Sequence, residues 1–144
     1  GRLDDARPRL LRATAAAPKD WNAQSDLGDL YYQMGEYDPS VEAYRKSVAA
    51  YPWLPDVQQS LGRALNKANK VGEAFYWFGR AAELQGEPVQ ALSYYQQAQK
   101  ALPPMDPVRA DLDGRVEKLA KATSGPPRRP VIRPERGGNR LGIP

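Results

Sequence analysis

Leu27-Gly28-x-x-Tyr31, Ser40-x-x-x-Tyr44 and Pro52 recur 34 places later as Leu61-Gly62-x-x-Leu65, Ala74-x-x-x-Phe78 and Gly86. A period of that length marks a helix–turn–helix unit that cannot bury its apolar face alone and must stack on copies of itself. Stepping back from Gly35, Tyr37, Ser40 and Pro52 lands on Gly1, Leu3, Ala6 and Pro18, so the chain opens inside a repeat, just before a second helix. The absence of an initiator Met or signal sequence there reads as a fragment of a longer protein, with any targeting segment removed. Stepping forward changes the register. Phe78-Gly79-x-x-Ala82, Gly86, Ala91-x-x-x-Tyr95, Ala98 and Pro103 repeat the pattern only 17 residues after the preceding frame. The helix near 72–85 therefore fits two roles, second helix of one unit and first helix of the next.

From about residue 1 to 105 these positions resemble the tetratricopeptide repeat family. The resemblance implies an all-α superhelix of antiparallel helix pairs that mediates protein–protein contacts. Its units are a partial repeat at 1–20, repeats at 21–54 and 55–88, and an overlapping one at 72–105, followed by a capping helix at 106–123 and a flexible Pro/Arg-rich tail at 124–144. Gln24 and Gln58 stand where the family carries an aromatic, and Ser40 where it carries Ala; both departures predict locally weaker packing. The segment 72–121, through Gly79-Arg80-Ala81-Ala82-Glu83-Leu84-Gln85-Gly86, also resembles the last repeat after the catalytic domain of some bacterial HExxH zinc metallopeptidases. That second resemblance implies a partner-recruiting or regulatory region in the cell envelope or periplasm; without it the compartment stays open.

Composition limits the chemistry. Zero Cys rules out a disulfide scaffold and a thiolate metal site, and zero His removes the commonest general base and metal ligand. The expectation is a non-enzymatic module with no cofactor, no metal and no small-molecule substrate. No apolar run approaches the ~18–20 residues that span a bilayer. Residues 1–123 carry 16 Lys/Arg and 16 Asp/Glu, and the excess charge sits in Arg128, Arg129, Arg133, Arg136 and Arg140 against Glu135. A neutral array disfavours nucleic acid as its partner.

Seven helices are expected near 3–16, 20–34, 37–51, 55–69, 72–85, 88–101 and 106–122. Asp20 caps the second, Gly35 closes it in a left-handed turn, and Pro39 falls in a first turn where its missing N–H is harmless. Asp106-Pro107 reads as a cap and first-turn proline. Val108, Leu112, Val116 and Leu119 form one apolar stripe of the last helix, opposite Arg109, Asp113, Lys118 and Lys121. Leu27, Tyr31, Tyr44, Leu61, Leu65, Phe78, Ala81, Tyr95 and Ala98 make the interior, Gly28, Gly62 and Gly79 are helix-crossing points, and Tyr37 and Trp53 staple loops. Asp111 and Asp113 belong to a solvated face, and Gly137-Gly138-Asn139 lacks the flanking strand and helix of a phosphate loop.

In the resembled family the first helix of each pair lines a concave groove. Carried onto this chain, the groove consists of Asn22, Ser25, Asp26, Asp29, Tyr32 and Gln33, then Asp56, Gln59, Ser60, Arg63, Asn66 and Lys67. If helix 72–85 acts as a first helix, Tyr76, Trp77, Arg80 and Glu83 continue it. Arg63, Lys67 and Arg80 would form a basic ridge, with Tyr32, Arg63 and Trp77 as anchors for a peptide or protein partner. If it acts as a second helix, Trp77 turns to the convex side and the groove is shorter. The clamp that co-chaperone members use for an acidic peptide end needs Lys and Asn where Ser25, Asp29 and Ser60 stand, which argues against that role. The tail (Pro126-Pro127-Arg128-Arg129-Pro130, Val131-Ile132-Arg133-Pro134) favours polyproline II. It fits a solvated segment, a peptide ligand for another protein or for a neighbouring copy's groove, or an anion contact; a homo-oligomer through the tail or the array ends is compatible with this.

Overall fold

The computed structural model describes residues 1–125, and the Pro/Arg-rich tail and Gly137-Gly138-Asn139 lie outside them. Among the described residues it contains seven helices and no strand: α1 (Arg2–Ala16), α2 (Trp21–Gln33), α3 (Tyr37–Ala50), α4 (Pro55–Lys67), α5 (Val71–Leu84), α6 (Pro88–Ala101) and α7 (Arg109–Thr123). Each helix packs on its neighbour in sequence, giving an all-α solenoid of stacked helical hairpins. Asp20 caps α2, accepting from the amides of Asn22 and Ala23, and Pro55 and Pro88 open α4 and α6.

One contact sets the packing of the hairpins. A Cβ added to Gly28 would lie 2.8 Å from the ring of Tyr44, and one added to Gly62 would lie 2.6 Å from the ring of Phe78. Gly79 meets Tyr95 in the same way. In each case a helix backbone rests directly on an aromatic ring 16 residues onward. The turns repeat as well. Gly35 (φ +75°), Asn69 (φ +60°) and Gly86 (φ +75°) take left-handed backbone between α2 and α3, α4 and α5, and α5 and α6. At each, an amide bond back to the carbonyl five residues earlier closes the preceding helix: Glu36 N–H to Tyr31, Lys70 N–H to Leu65, and Glu87 N–H to Ala82, all 2.9 Å. So α5 is at once second helix to α4 and first helix to α6.

The departures from the family pattern are hydrogen-bonded, although Gln58 leaves its Oε1 buried with no partner among the described residues. Ser40 is buried and donates to the Gly28 carbonyl at 2.8 Å, Gln24 donates to Pro18 O at 3.2 Å, and Gln58 to Pro52 O at 2.8 Å. Each side chain satisfies a carbonyl at a helix crossing or a helix-to-helix junction, where an unpaired buried polar group would be costly. Arg109 performs the same service at the last junction, donating to Leu102 O at 2.8 Å. By that bond, and by the burial of Leu112 as of Leu27 and Leu61, α7 is built like a first helix.

The start of α7 differs from expectation. Asp106 and Pro107 precede the helix: the Asp106 side chain accepts from Val108 N at 3.0 Å, and its carbonyl accepts from Arg109 N, a tight turn that delays the α-helix to Arg109. Asp111 and Asp113 are also not merely solvated. Asp113 accepts from Gln99 and Arg109, and Asp111 accepts from the Tyr76 hydroxyl at 2.5 Å and from Arg115 at 2.7 Å. Arg115 also reaches Glu83 at 2.6 Å, and Glu83 accepts from the Tyr95 hydroxyl. This chain of charge-assisted bonds fastens α7 onto α5 and α6. Burial opposes the Asp111 carboxylate, but the bonds from Arg115 and then Tyr76 outweigh it and hold its pKa below the ordinary value. Tyr37 packs edge-on to Tyr32 at 5.5 Å, whereas Trp53 is 67% exposed and staples nothing.

Three outcomes are expected from this packing and its polar contacts. Gly62→Ala should destabilise the chain by about 1–3 kcal/mol in urea unfolding, because the methyl has no room beside Phe78. Gly114→Ala, where an added Cβ meets nothing within 4 Å, should stabilise it by about 0.5–1 kcal/mol through helix propensity. A carboxylate with a depressed pKa adds stability above its unfolded value of ~3.9 and loses it as pH falls through the lower folded one. The stability gap between wild type and Asp111→Asn should therefore narrow as urea titrations move below about pH 4.

Candidate peptide-binding cleft

The first helices α2 and α4 present the expected polar positions, and the Tyr44 hydroxyl lies between them. It donates to Asp29 on α2, while Ser60 and Arg63 of α4 lie close by. Burial first, and then the Asp29 bond, raise the Tyr44 pKa, against a smaller opposing pull from Ser60 and Arg63. Asp29 is thus engaged, although its residue is exposed. Asn22, Asn66 and Lys67 are exposed and Ser25 and Tyr32 half-buried. Desolvation, followed by the charges of Asp29 and Asp20, raises the Asp26 pKa.

On α4 the face carrying Gln59 and Arg63 opens onto a cleft of about 220 Å³. Phe78 and Ala82 of α5 and Tyr94 of α6 supply its apolar lining, and Gln85, Glu87 and Gln90 its rim. The Phe78 and Tyr94 rings lie 5.7 Å apart, Gln59 donates to Gln85 at 3.4 Å, and Arg63 donates to Ser60 at 2.8 Å. Arg63 is exposed, so its remaining N–H groups face water.

Tyr76, Trp77 and Arg80 do not join this surface. Phe78, Ala82 and Gln85 form the side of α5 towards the cleft, while Tyr76, Arg80 and Glu83 follow the opposite side at helical spacing. That opposite side is where α7 lands: Tyr76 is buried with its hydroxyl on Asp111, and Arg80 donates back to that hydroxyl at 3.2 Å. Trp77 is half-buried and packs into both principal core clusters, with Tyr76 edge-on at 5.3 Å and the Arg80 guanidinium 5.8 Å above its ring. Its indole N–H is buried with no acceptor among the described residues. The continuous ridge of Arg63, Lys67 and Arg80 is therefore split across α5, and Trp77 is a core residue rather than an anchor.

The sequence reading missed Phe78 as lining, together with Ala82, Gln85, Glu87, Gln90 and Tyr94. The signal was present: carrying the 34-residue period from Asp56 and Ser60 lands on Gln90 and Tyr94. Following the 17-residue frame onto α5 alone hid it.

Among solved structures, the chain is similar to MamA in two forms. A crystal structure of MamA shares 17% identity over 84% of this chain and 88% of that one, with a TM-score of 0.42. The MamA RS-1 ArsTM double mutant shares 15% over 86% and 88%, with a TM-score of 0.45. No curated protein matches the chain. The family signature is more decisive, because the tetratricopeptide repeat matches residues 1–55 and 58–106, the same span over which glycine, aromatic ring and left-handed turn recur. The chain belongs to the tetratricopeptide repeat family.

Proposed function

We propose that the chain is a non-enzymatic protein-interaction scaffold that takes an extended peptide segment of its partner across α2, α4 and the cleft beside α6. The observation that carries this reading is the cleft itself, where the exposed guanidinium of Arg63 and the amide of Gln59 border the rings of Phe78 and Tyr94. Aromatic rings with a neighbouring Arg are the side-chain types that dominate binding energy at interfaces. The alternating donors and acceptors of Gln59, Gln85 and Gln90 suit a peptide backbone, which offers one N–H and one C=O per residue. Tyr32, Asn66 and Lys67 extend the surface along α2 and α4. The described array carries equal numbers of acidic and basic residues to position 123, which favours a protein ligand over a polyanion.

A peptide selected by display against the folded chain provides the test. Arg63→Ala and Tyr94→Ala should each weaken its binding by about 2 kcal/mol, near thirtyfold, with unfolding unchanged. Glu42→Ala, an exposed change on α3 outside this cleft, should leave affinity unaltered. Unchanged affinity in both cleft variants would place the binding surface elsewhere.

A further inference from the structure

A groove between α1 and α3, floored by α2, stays open where its counterpart one repeat later is filled. It has a volume of about 460 Å³, with Leu11 of α1 facing Pro39 and Ala43 of α3 across Gln24, Leu27 and Tyr31 of α2. Ligand pockets commonly span ~300–1,000 Å³. The groove shares no lining residue with the cleft beside α6.

The 34-residue period shows what fills such a groove. Ala43 maps onto Trp77, Gln24 onto Gln58, Leu27 onto Leu61, Tyr31 onto Leu65 and Lys46 onto Arg80. In the later copy the Trp77 side chain packs on the core that includes Leu61 and Leu65, and the Arg80 guanidinium lies 5.8 Å above its ring. An ion pair between Arg45 and Glu73 ties the flanking helices α3 and α5 together. In the earlier copy Ala43 ends at its methyl group, so the place of the indole is vacant. Leu11 and Pro39 stand where Arg45 and Glu73 stand, and they carry no charges to form that bridge.

The parts that would hold a ring remain. Leu27 is buried at the floor, and Lys46 is exposed with no ion pair among the described residues. Gln24 is 3% exposed, and only its Nε2 is bonded among the described residues, to Pro18 O. Its Oε1 is left to accept. An indole, an apolar body with a single N–H donor, suits both the apolar walls and that acceptor. We propose that the α1–α3 groove receives a tryptophan side chain presented by a partner protein, with Lys46 over the ring and Gln24 accepting its N–H. The groove is then a second binding surface, independent of the cleft.

N-acetyltryptophanamide, titrated into the isotope-labelled full chain, is the probe. Amide signals of Gln24, Leu27 and Ala43 should shift saturably in the millimolar range expected of a fragment, and N-acetylalaninamide should shift none of them. Ala43→Trp should abolish the response by filling the groove from within. Should that variant not fold, Leu11→Arg with Pro39→Glu, both exposed positions, recreates the later bridge and should weaken the probe at least about fivefold. Peptides displayed against a chain carrying Arg63→Ala and Tyr94→Ala, in which the cleft is disabled, should be enriched in tryptophan and lose binding with the same pair of changes. Shifts that are absent or do not saturate, an equal response to N-acetylalaninamide, binding that survives in the groove variants, or selected peptides without tryptophan would each overturn the proposal. Groove signals that vary with protein concentration, and cease to do so in Trp53→Ala, would give the groove to the exposed Trp53 of a second copy and overturn it likewise.

Discussion

The structure depends on one steric constraint, the seating of an aromatic ring on a helix backbone that carries no Cβ. At Gly28, Gly62 and Gly79 the rings of Tyr44, Phe78 and Tyr95 occupy the space a side chain would fill. Once a ring is seated there, the two helices are held close and their crossing is fixed. Leu27, Leu61 and the other apolar residues beside the glycine are then carried into the core. Since burial of such a side chain contributes roughly 1.5–3 kcal/mol, the contact also decides where that energy is collected. The left-handed residues at 35, 69 and 86 belong to the same device, because each returns the chain so that the ring sixteen residues after its glycine can reach it.

Using that device twice in succession around α5 shapes the surface. A helix has only so many faces, and α5 gives one to Gly62 of α4 through Phe78 and another to Tyr95 of α6 through Gly79. Its remaining side, with Tyr76, Arg80 and Glu83, receives α7. The bonds among Tyr76, Asp111, Arg115, Glu83 and Tyr95 fill that contact with satisfied polar groups, and the Asp111 carboxylate is stabilised in its charged form accordingly. What stays open is the angle between α4 and the α5–α6 hairpin. The cleft is therefore a product of the shortened spacing, and its aromatic lining consists of the rings that the two frames bring together.

Much of the fold was legible in the sequence because the constraint is written at fixed spacing. The positions of Gly28, Gly62 and Gly79 were read as crossing points, helix boundaries at Asp20, Gly35 and Pro55 follow from capping and turn chemistry, and the dual register of 72–85 is visible in two overlapping motifs. Substitutions that trade apolar packing for a hydrogen bond were misread. Gln24, Gln58 and Ser40 look like defects until the carbonyls of Pro18, Pro52 and Gly28 are seen within their reach. The site was legible in part. Gln59, Arg63, Asn66 and Lys67 were found from periodicity on α4, whereas the fate of Tyr76, Trp77 and Arg80 depends on where α7 lands, a contact between segments some 35 residues apart that no local pattern encodes. The start of α7 was also placed too early, since an Asp-Pro pair serves a tight turn as readily as a helix cap.

The double role of α5 is the claim on which cleft, cap and core all rest, and proton–proton nuclear Overhauser contacts test it directly. The account predicts close contacts from the Phe78 ring to the Gly62 α-protons and, in the same molecule, from the Tyr95 ring to the Gly79 α-protons. Finding one set without the other would assign α5 to a single repeat and contradict the account.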